Sequence, residues 1–272
     1  MKNLVIVFFV VCIAAVMNAT AQTAESYFAA GYEKYKKGLY KEALDDYSKA
    51  IEVNPQYSEA YYNRGTIKVD LGNKEGAIAD YTKAIEVNPQ YSEAYYNRGN
   101  AKFNLGDNKG AIADYTKAIE VNPQYAEAYS NRGTAKSELG DKYAAIADYT
   151  KAIELNPQYA DAYYNRGLAK ARIGDNYGAI ADWTKAIELN PQYADAYYKR
   201  GTAKSKLGDD KKGAIADYSK AIEFNPQFVE AYFNRAMMYG QQGKITLACA
   251  DLQKAKELGL KAAADVIKNV CK

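Results

Sequence analysis

A short motif, Asn-Pro-Gln followed by Tyr or Phe, recurs along this chain at a nearly constant interval. The spacing between successive copies is 34 residues four times and 35 residues once. A fixed period of about 20 to 50 residues is typical of stacked supersecondary units, each of which contacts only its neighbours. The chain is therefore predicted to be a repeat array, and its function must be sought on a surface that many similar units build together. The copies begin at Asn54, Asn88, Asn122, Asn156, Asn190 and Asn225.

Composition places the chain among folded proteins and narrows what it binds. With 272 residues, of which 48% are hydrophobic and 25% charged, it has enough apolar side chains for a large core. The net charge is +3, and Lys and Arg are interleaved with Asp and Glu in every repeat. Nucleic-acid binding, which depends on a clustered basic surface, is not expected.

The sequence contains no recognisable catalytic or cofactor-binding motif. Histidine, the commonest general base and transition-metal ligand, is absent. There is no Gly-rich phosphate loop, no Ser-His-Asp or Cys-His set and no metal-ligand spacing. The carboxylate pair Asp45-Asp46 is interpreted as one solvated and one structural side chain, because a hydrolase dyad needs a unique pocket. We therefore predict a protein that is not an enzyme, has no metal or other cofactor, and takes no small-molecule substrate.

Residues 1–21 differ from the repeats and have the pattern of a secretory signal peptide. Lys2 supplies the positive start, residues 4–17 are almost entirely apolar, and Ala19-Thr20-Ala21 has the small-x-small pattern of a cleavage site. An uncleaved membrane anchor is the alternative, but a spanning helix needs about 20 apolar residues. Cleavage would leave Gln22 as the mature N-terminus and limit membrane contact to the transient signal peptide. We expect an exported protein, periplasmic or secreted, of a bacterial envelope.

Two cysteines follow the signal segment, and export makes a disulfide between them chemically reasonable. Cys249 and Cys271 are equidistant from residue 260, where Gly259-Leu260 should end the last repeat helix before a short final helix. Residues equidistant from the turn of an antiparallel helical hairpin lie side by side, as a disulfide requires. We predict that the two cysteines pair; two buried free thiols are the alternative.

One repeat, residues 58–91, illustrates why each unit should form two helices. Apolar and small residues recur at spacings of three and four along two segments, which predicts two amphipathic helices. Gly72 can adopt the left-handed conformation that ends the first helix, and the Asn73 side chain can accept the free amides that begin the second. The Asn-Pro pair of the recurring motif then stops the second helix, because proline cannot donate a hydrogen bond. Tyr61 and Tyr81, at helical spacing, are interpreted as core residues and not as part of a cofactor site.

These features resemble the tetratricopeptide repeat family, whose 34-residue helix-turn-helix unit has small and aromatic residues at fixed positions. Counted from the first residue of a repeat, the family has aromatics at positions 4 and 24, Gly at 8, Ala at 20 and 27, and Pro at 32. In the repeat that begins at Ser92 these positions hold Tyr95, Tyr115, Gly99, Ala111, Ala118 and Pro123. The resemblance implies an all-α fold, a right-handed superhelical α-solenoid of helix-turn-helix repeats whose first helices line a concave groove. It covers residues 24–260 as seven repeats, about 24–57, 58–91, 92–125, 126–159, 160–193, 194–228 and 229–260, with a C-terminal capping helix at 261–272.

Two charged positions depart from the family pattern. Position 7, where the family usually has Leu, is Arg in six repeats, and position 23 is Asp in all seven. The first repeat has Ala30 at position 7. If each Asp pairs with the Arg of the following repeat, even the Asp of the first repeat has a partner. We therefore predict ion pairs between repeats that set the stacking register. They would join Asp46 to Arg64, Asp80 to Arg98, Asp114 to Arg132, Asp148 to Arg166, Asp182 to Arg200 and Asp217 to Arg235.

The first helices carry a further stripe at positions 2, 5, 6, 9, 12 and 13, which helical spacing places on one face. Position 6 is mostly Asn and position 5 mostly aromatic. A ladder of amides can bond the backbone of an extended peptide, and aromatic side chains can hold its side chains. The alternative is that the repeats reflect duplication and that the asparagines are solvated or bonded to neighbours. The candidate groove residues are Tyr62, Asn63, Thr66, Tyr96, Asn97, Asn100, Asn131, Thr134, Tyr164, Asn165, Leu168, Tyr198 and Lys199.

These patterns predict a non-enzymatic protein–protein interaction scaffold that binds an extended peptide segment of another protein in its concave groove. The alternative is a structural or assembly protein of an envelope complex, acting through its convex face or end-to-end stacking. Position 5 does not hold the lysine that the family's chaperone-tail clamp requires, so such tails are not expected. The near-identity of the repeats indicates low sequence selectivity, and any preference should originate from the variation at positions 9 and 12.

Overall fold

The computed structural model describes residues 23–208 and 210–271, and the chain forms two compact units that divide between Asn122 and Pro123. Residues 1–21, for which a signal peptide is predicted, lie outside the described residues. The described part of the first unit contains six α-helices: α1 (Ala24–Lys36), α2 (Tyr40–Val53), α3 (Ser58–Asp70), α4 (Lys74–Val87), α5 (Ser92–Asn104) and α6 (Asn108–Val121). That of the second contains nine: α7 (Ala126–Glu138), α8 (Lys142–Leu155), α9 (Ala160–Arg172), α10 (Asn176–Leu189), α11 (Ala194–Leu207), α12 (Lys211–Phe224), α13 (Val229–Gln241), α14 (Ile245–Glu257) and α15 (Lys261–Val270).

Each repeat is a helical hairpin whose turn follows from its sequence. Gly72 has a φ of 80°, and the Asn73 side chain accepts a hydrogen bond from the Gly76 amide at 2.9 Å. Glycine alone adopts this left-handed conformation without strain, and the Asn oxygen satisfies one of the free amides at the start of α4. In the sixth repeat Gly208 and Asp210 keep these two roles, although one additional residue separates them. The insertion therefore leaves both flanking helices intact.

The core of each hairpin consists of small residues packed against one large aromatic side chain. Tyr81 is 1% exposed, and Ala60 and Ala77 are completely buried. A Cβ atom at Gly65 would lie 2.9 Å from the Tyr81 ring, so only glycine lets α3 approach this ring so closely. The interpretation of Tyr81 as a core residue is confirmed, and Tyr61 packs in a partly buried position beside Ala84 and Ile85 of the same unit.

The last hairpin is closed by a terminal helix and a disulfide. Ala263 of α15 is completely buried against α13 and α14, beside Val266 and Ile267. Cys249 and Cys271 form a disulfide with a Cα–Cα distance of 5.7 Å, as their equal distance from the turn predicted. The helix α15 thus covers the apolar side that the seventh repeat would otherwise expose, which is the role of a terminal cap in a repeat array.

Within each unit, every helix packs against the helix that follows it in the chain. The described residues contain no β-strand. The prediction of an all-α solenoid of helix-turn-helix repeats is therefore confirmed. The residues of the candidate groove lie on the first helices α3 and α5 in the first unit and on α7, α9 and α11 in the second, where α13 has the same positions. We call positions 2, 5, 6, 9, 12 and 13 of these first helices the groove face of each unit.

Candidate functional site

The arginine at position 7 forms its ion pair within its own repeat, so the predicted pairing between repeats is wrong. Arg64 donates two hydrogen bonds to Asp80, from Nε to Oδ2 at 2.9 Å and from Nη2 to Oδ1 at 2.7 Å. This two-point geometry is the strongest arrangement for a guanidinium and a carboxylate. The same bonds join Arg98 to Asp114, Arg132 to Asp148, Arg166 to Asp182, Arg200 to Asp217 and Arg235 to Asp251.

Hairpin geometry explains this pairing. Arg64 and Asp80 are both eight residues from Gly72, the turn glycine, so the two antiparallel helices bring them side by side. The expectation failed because it assumed that arginine was the only available partner for Asp46. In the first repeat Lys34 lies 2.6 Å from Asp46 and neutralises it. A lysine at this same position, 11, gives most of the later aspartates a second cation, as with Lys68 and Asp80 at 2.7 Å.

Arginine does link neighbouring repeats, but through a hydroxyl group. Arg64 Nη1 donates to Ser48 Oγ of the preceding repeat at 3.1 Å, and Arg98 Nη1 donates to Thr82 Oγ1 at 3.0 Å. The guanidinium of Arg64 also lies 5.6 Å from the centre of the Tyr61 ring, a distance suited to a cation–π contact. These residues are half-buried or buried and fully engaged, and they therefore belong to the scaffold and not to a binding surface.

Position 9 of the groove face serves the core as well as the surface. The buried Tyr81 hydroxyl lies 3.3 Å from Thr66 Oγ1, and the Tyr115 hydroxyl donates to Asn100 Oδ1 at 2.8 Å. The contact between Thr134 and its core tyrosine, at 3.1 Å, is equivalent. In the fifth repeat the core residue is Trp183 and position 9 is Leu168. The leucine cannot form a hydrogen bond, and the tryptophan does not require one from it because its indole Nε1 donates to the Tyr164 carbonyl oxygen. Much of the variation at position 9 therefore follows the core aromatic, and not a ligand.

Several asparagines of the ladder bond to the neighbouring repeat. Asn97 Nδ2 donates to the Tyr62 hydroxyl at 2.8 Å, and Asn234 Nδ2 donates to the Tyr198 hydroxyl at 3.1 Å. Asn63 donates instead to the carbonyl oxygen of Glu59 at 3.0 Å. The residue that would be its hydroxyl partner in the first repeat is phenylalanine. Some of these asparagines therefore hold neighbouring repeats together, which agrees with the alternative interpretation that they bond to neighbours and not to a peptide.

The fifth repeat is different because two of its groove-face polar groups have no hydrogen-bond partner among the described residues. Asn165 follows a serine at position 5 of the preceding repeat and has no hydrogen-bond partner among the described residues. Tyr164 stacks on Tyr193 with ring centres 4.9 Å apart, and its hydroxyl is likewise without a described partner. Burial, followed by the charge of Asp195, raises the pKa of Tyr164 to about 12, so its hydroxyl stays protonated at neutral pH.

The other candidate residues occupy comparable half-buried places on the same face. Tyr96 lies beside the core tyrosine Tyr115, with ring centres 5.9 Å apart, and Asn131 is half-buried on α7. The Lys199 ammonium, where the other repeats have asparagine, lies 5.4 Å from the centre of the Tyr198 ring.

A cavity of about 310 Å³ opens between α9, α10 and α11, next to these free groups. It contains two residues that the sequence singled out, Leu168 and Lys199. Arg172, Lys206 and Trp183 also line it and were not among the candidate residues. The signal that was available is the change at position 13 from acidic or amide side chains in the second to fourth repeats to basic ones in the fifth and sixth. The lining residues are Leu168, Ala171, Arg172, Asn176, Trp183, Lys199, Thr202, Ala203 and Lys206.

A second cavity of about 390 Å³ lies at the last hairpin and is lined almost entirely by apolar groups of α13, α14 and α15.

In the part of the chain that the structure describes, no cluster of three or more acidic, cysteine or histidine side chains is arranged to hold a metal ion. None of the described helices is long and apolar enough to cross a membrane.

A family model described as TPR repeat matches residues 31–72, 65–106, 99–140, 136–174, 171–208 and 211–243, and a second model, tetratricopeptide repeat, matches residues 229–258. The chain belongs to the tetratricopeptide repeat family. A comparison with curated proteins finds no match. This tetratricopeptide repeat protein therefore has a family and a fold in common with known proteins, and the family supports a role as a protein-interaction scaffold.

Solved structures of tetratricopeptide repeat proteins have the same fold. One from Parabacteroides merdae is 22% identical with a TM-score of 0.66, covering 93% of this chain and all of its own. MamA is 30% identical with a TM-score of 0.57, covering 61% of this chain and 96% of its own. YrrB, described as a TPR protein with an unusual peptide-binding site, is 26% identical with a TM-score of 0.59, covering 68% and 95% respectively.

Proposed function

We propose that this protein is a non-enzymatic scaffold that binds an extended segment of another protein along its groove face. The observation that carries the proposal is the set of unengaged polar groups on α9, where Asn165 and the Tyr164 hydroxyl have no described partner. An amide offers a donor and an acceptor to a passing peptide backbone whatever the side chains of that peptide are.

The surroundings of these groups support the same function. The stacked rings of Tyr164 and Tyr193 provide a rigid aromatic surface that costs little conformational entropy when a ligand side chain packs on it. The adjacent cavity between α9 and α11 gives one or two side chains a place to be buried. YrrB, which has this fold and an unusual peptide-binding site of its own, adds support from similarity.

Affinity selection of a random nonapeptide library on the immobilised full chain tests the proposal. Enriched peptides are then measured by fluorescence polarisation against the parent, Asn165→Ala and Lys151→Ala. Lys151 lies exposed on the second helix α8 and serves as the matched control. We expect Asn165→Ala to weaken binding several-fold and Lys151→Ala to leave it unchanged. No enrichment, or equal binding by all three proteins, would refute the groove as the functional site.

We also propose that the protein is exported. The apolar start of the sequence supports this, and so does the disulfide between Cys249 and Cys271, because such bonds persist mainly outside the reducing cytosol. Fractionation of cells that produce the full chain, with mass spectrometry of its N-terminus, tests the idea. A protein recovered in the cytosol with Met1 intact would contradict it.

Assembly through the C-terminal hairpin is a second candidate function, favoured by one observation. The apolar cavity there is bordered by Ile245, which is 43% exposed, and Leu247 on the same helix is 48% exposed. Analytical ultracentrifugation of the parent and of Ile245→Ser/Leu247→Ser tests this candidate. A parent that remains monomeric over the accessible concentration range would eliminate it.

A further inference from the structure

Three cationic side chains surround the cavity between α9 and α11. Arg172 is at position 13 of the fifth repeat, Lys206 is at position 13 of the sixth, and Lys199 is at position 6 of the sixth. None of the three forms a salt bridge with a described residue: Arg172 donates to Ser137 Oγ at 3.0 Å, and Lys199 lies over the Tyr198 ring. No carboxylate of the described residues therefore neutralises their charges.

This lack of a carboxylate partner contrasts with the cations at positions 7 and 11 of the same two repeats. Those cations are half-buried and held by carboxylates, for example Arg166 and Lys170 by Asp182 at 2.7 and 2.9 Å. Asp161 and Asp195 lie in the first turns of α9 and α11. Among the described residues that line the cavity, none carries a carboxylate.

The positions at which the fifth and sixth repeats differ in charge from their neighbours also lie at this cavity. Position 13 is Asp70, Asn104 and Glu138 in the three repeats before it, and position 6 is asparagine in the repeats on both sides of Lys199. In an array of near-identical units, three changes toward positive charge at one cavity are a local specialisation of the groove face. Specificity in a repeat protein requires such differences between repeats.

The floor of the cavity is apolar. Leu168, Ala171 and Ala203 line it together with Trp183, whose indole Nε1 is occupied by a hydrogen bond to the Tyr164 carbonyl oxygen at 3.2 Å. A volume of about 310 Å³ accommodates one or two side chains. The site therefore combines an apolar floor with a rim of three positive charges.

We infer that this cavity recognises an acidic side chain, Asp or Glu, next to an apolar residue in the extended segment of the partner. The inference rests on the proposed peptide-binding function and gives it a preference. Charge complementarity with the three rim cations favours the acidic residue, and burial on the leucine and tryptophan floor favours its apolar neighbour. An inorganic anion or a nucleic acid would use the charges but would leave the apolar floor without a role.

The test compares two blocked peptide libraries that are identical except at the central residue, which follows a leucine and is Glu in one library and Gln in the other. Binding to the full chain is followed by the fluorescence of Trp183, which is the single tryptophan of the sequence. The parent is expected to bind the Glu library about tenfold more tightly than the Gln library at moderate salt.

Two triple variants separate the cavity from general electrostatics. Arg172→Gln/Lys199→Asn/Lys206→Gln removes the rim charges, whereas Lys74→Gln/Lys109→Gln/Lys142→Gln removes as many charges at the starts of second helices, from residues that do not line the cavity. The first should abolish the preference for Glu and the second should retain it. Circular dichroism checks that both variants are folded.

Four results would overturn the inference. Equal binding of both libraries by the parent would refute the acidic preference while leaving peptide binding in place. Loss of the preference in both triple variants would show that net charge, and not the cavity, is responsible. Inorganic phosphate or single-stranded RNA competing as well as the Glu library would reveal a general anion site. Absence of binding by either library would refute the peptide-binding function itself.

Discussion

A double-mutant cycle in the third repeat measures the coupling energy between Arg98 and Asp114, which pair within one repeat and not between repeats as predicted. Asp114 is 3% exposed and is contacted by Arg98 through bonds of 2.9 and 2.6 Å and by Lys102 at 2.8 Å. Asp114→Leu leaves two cations without their carboxylate, and removing one partner of a buried pair costs about 3 to 5 kcal/mol. Because Arg98 and Lys102 retain some exposure, we expect the lower end, about 3 kcal/mol.

The double change Arg98→Leu/Asp114→Leu should cost less than the sum of the single changes, because it leaves neither charge buried alone. The expected coupling energy is about 2 to 3 kcal/mol. The matched cycle, Arg98→Leu with Asp80→Leu, joins residues of adjacent repeats and should give a coupling energy within about 0.5 kcal/mol of zero. Urea unfolding followed by circular dichroism, with constant m-values as a check on cooperativity, provides the free energies. A larger coupling of Arg98 to Asp80 than to Asp114 would refute the pairing within repeats.

Three further changes have defined outcomes. Gly99→Ala should lower the free energy of unfolding by about 1 to 3 kcal/mol, because the new Cβ would lie 2.8 Å from the Tyr115 ring. Adding Tyr115→Leu should restore part of that free energy, as measured by urea unfolding. Reducing the Cys249–Cys271 disulfide, whose cysteines are 22 residues apart, should lower the free energy of unfolding by about 3 kcal/mol. Amide hydrogen exchange should become faster in α15 before it does elsewhere, and unchanged exchange in α15 would contradict this. Burial raises the pKa of Tyr81 to about 12 from about 10 in the unfolded chain. The contribution of this neutral hydroxyl to the free energy of unfolding is therefore fully present below pH 10 and is lost as the pH rises toward 12. The thermal midpoint of unfolding should fall across that range, and a constant midpoint would disprove the argument.

Local features of the fold could be predicted from the sequence because they depend on residues close together in the chain. The Gly72-Asn73 turn and the Asn-Pro stop each determine a helix end through backbone conformation and hydrogen bonding alone. The disulfide was also within reach, because equal distance from a turn is a property of the sequence. The same criterion applied to Arg64 and Asp80 would have predicted their pairing, since they flank Gly72 symmetrically.

The groove face was harder to predict because the role of each side chain depends on a neighbouring repeat. Asn97 and Asn165 occupy the same position and have the same sequence context, yet one is bonded to Tyr62 and the other is unengaged. The difference is set by the residue 35 positions earlier, tyrosine in one case and serine in the other. The cavity beside α9 was missed for a similar reason, since Arg172 and Lys206 are 34 residues apart and each alone resembles a solvated surface charge.

The confinement of each strong ion pair to a single repeat has a consequence for how the array changes over time. The unit that is copied or lost in tandem duplication contains both the aspartate and the cations that neutralise it, as Asp46 with Lys34 and Asp80 with Arg64 illustrate. The arginine of the ion pair reaches the preceding repeat through a hydrogen bond to a hydroxyl group, and loss of that bond leaves no buried carboxylate without a cation. Repeats between the two ends can therefore be gained or lost at an Asn-Pro junction without leaving a buried carboxylate that lacks its cation.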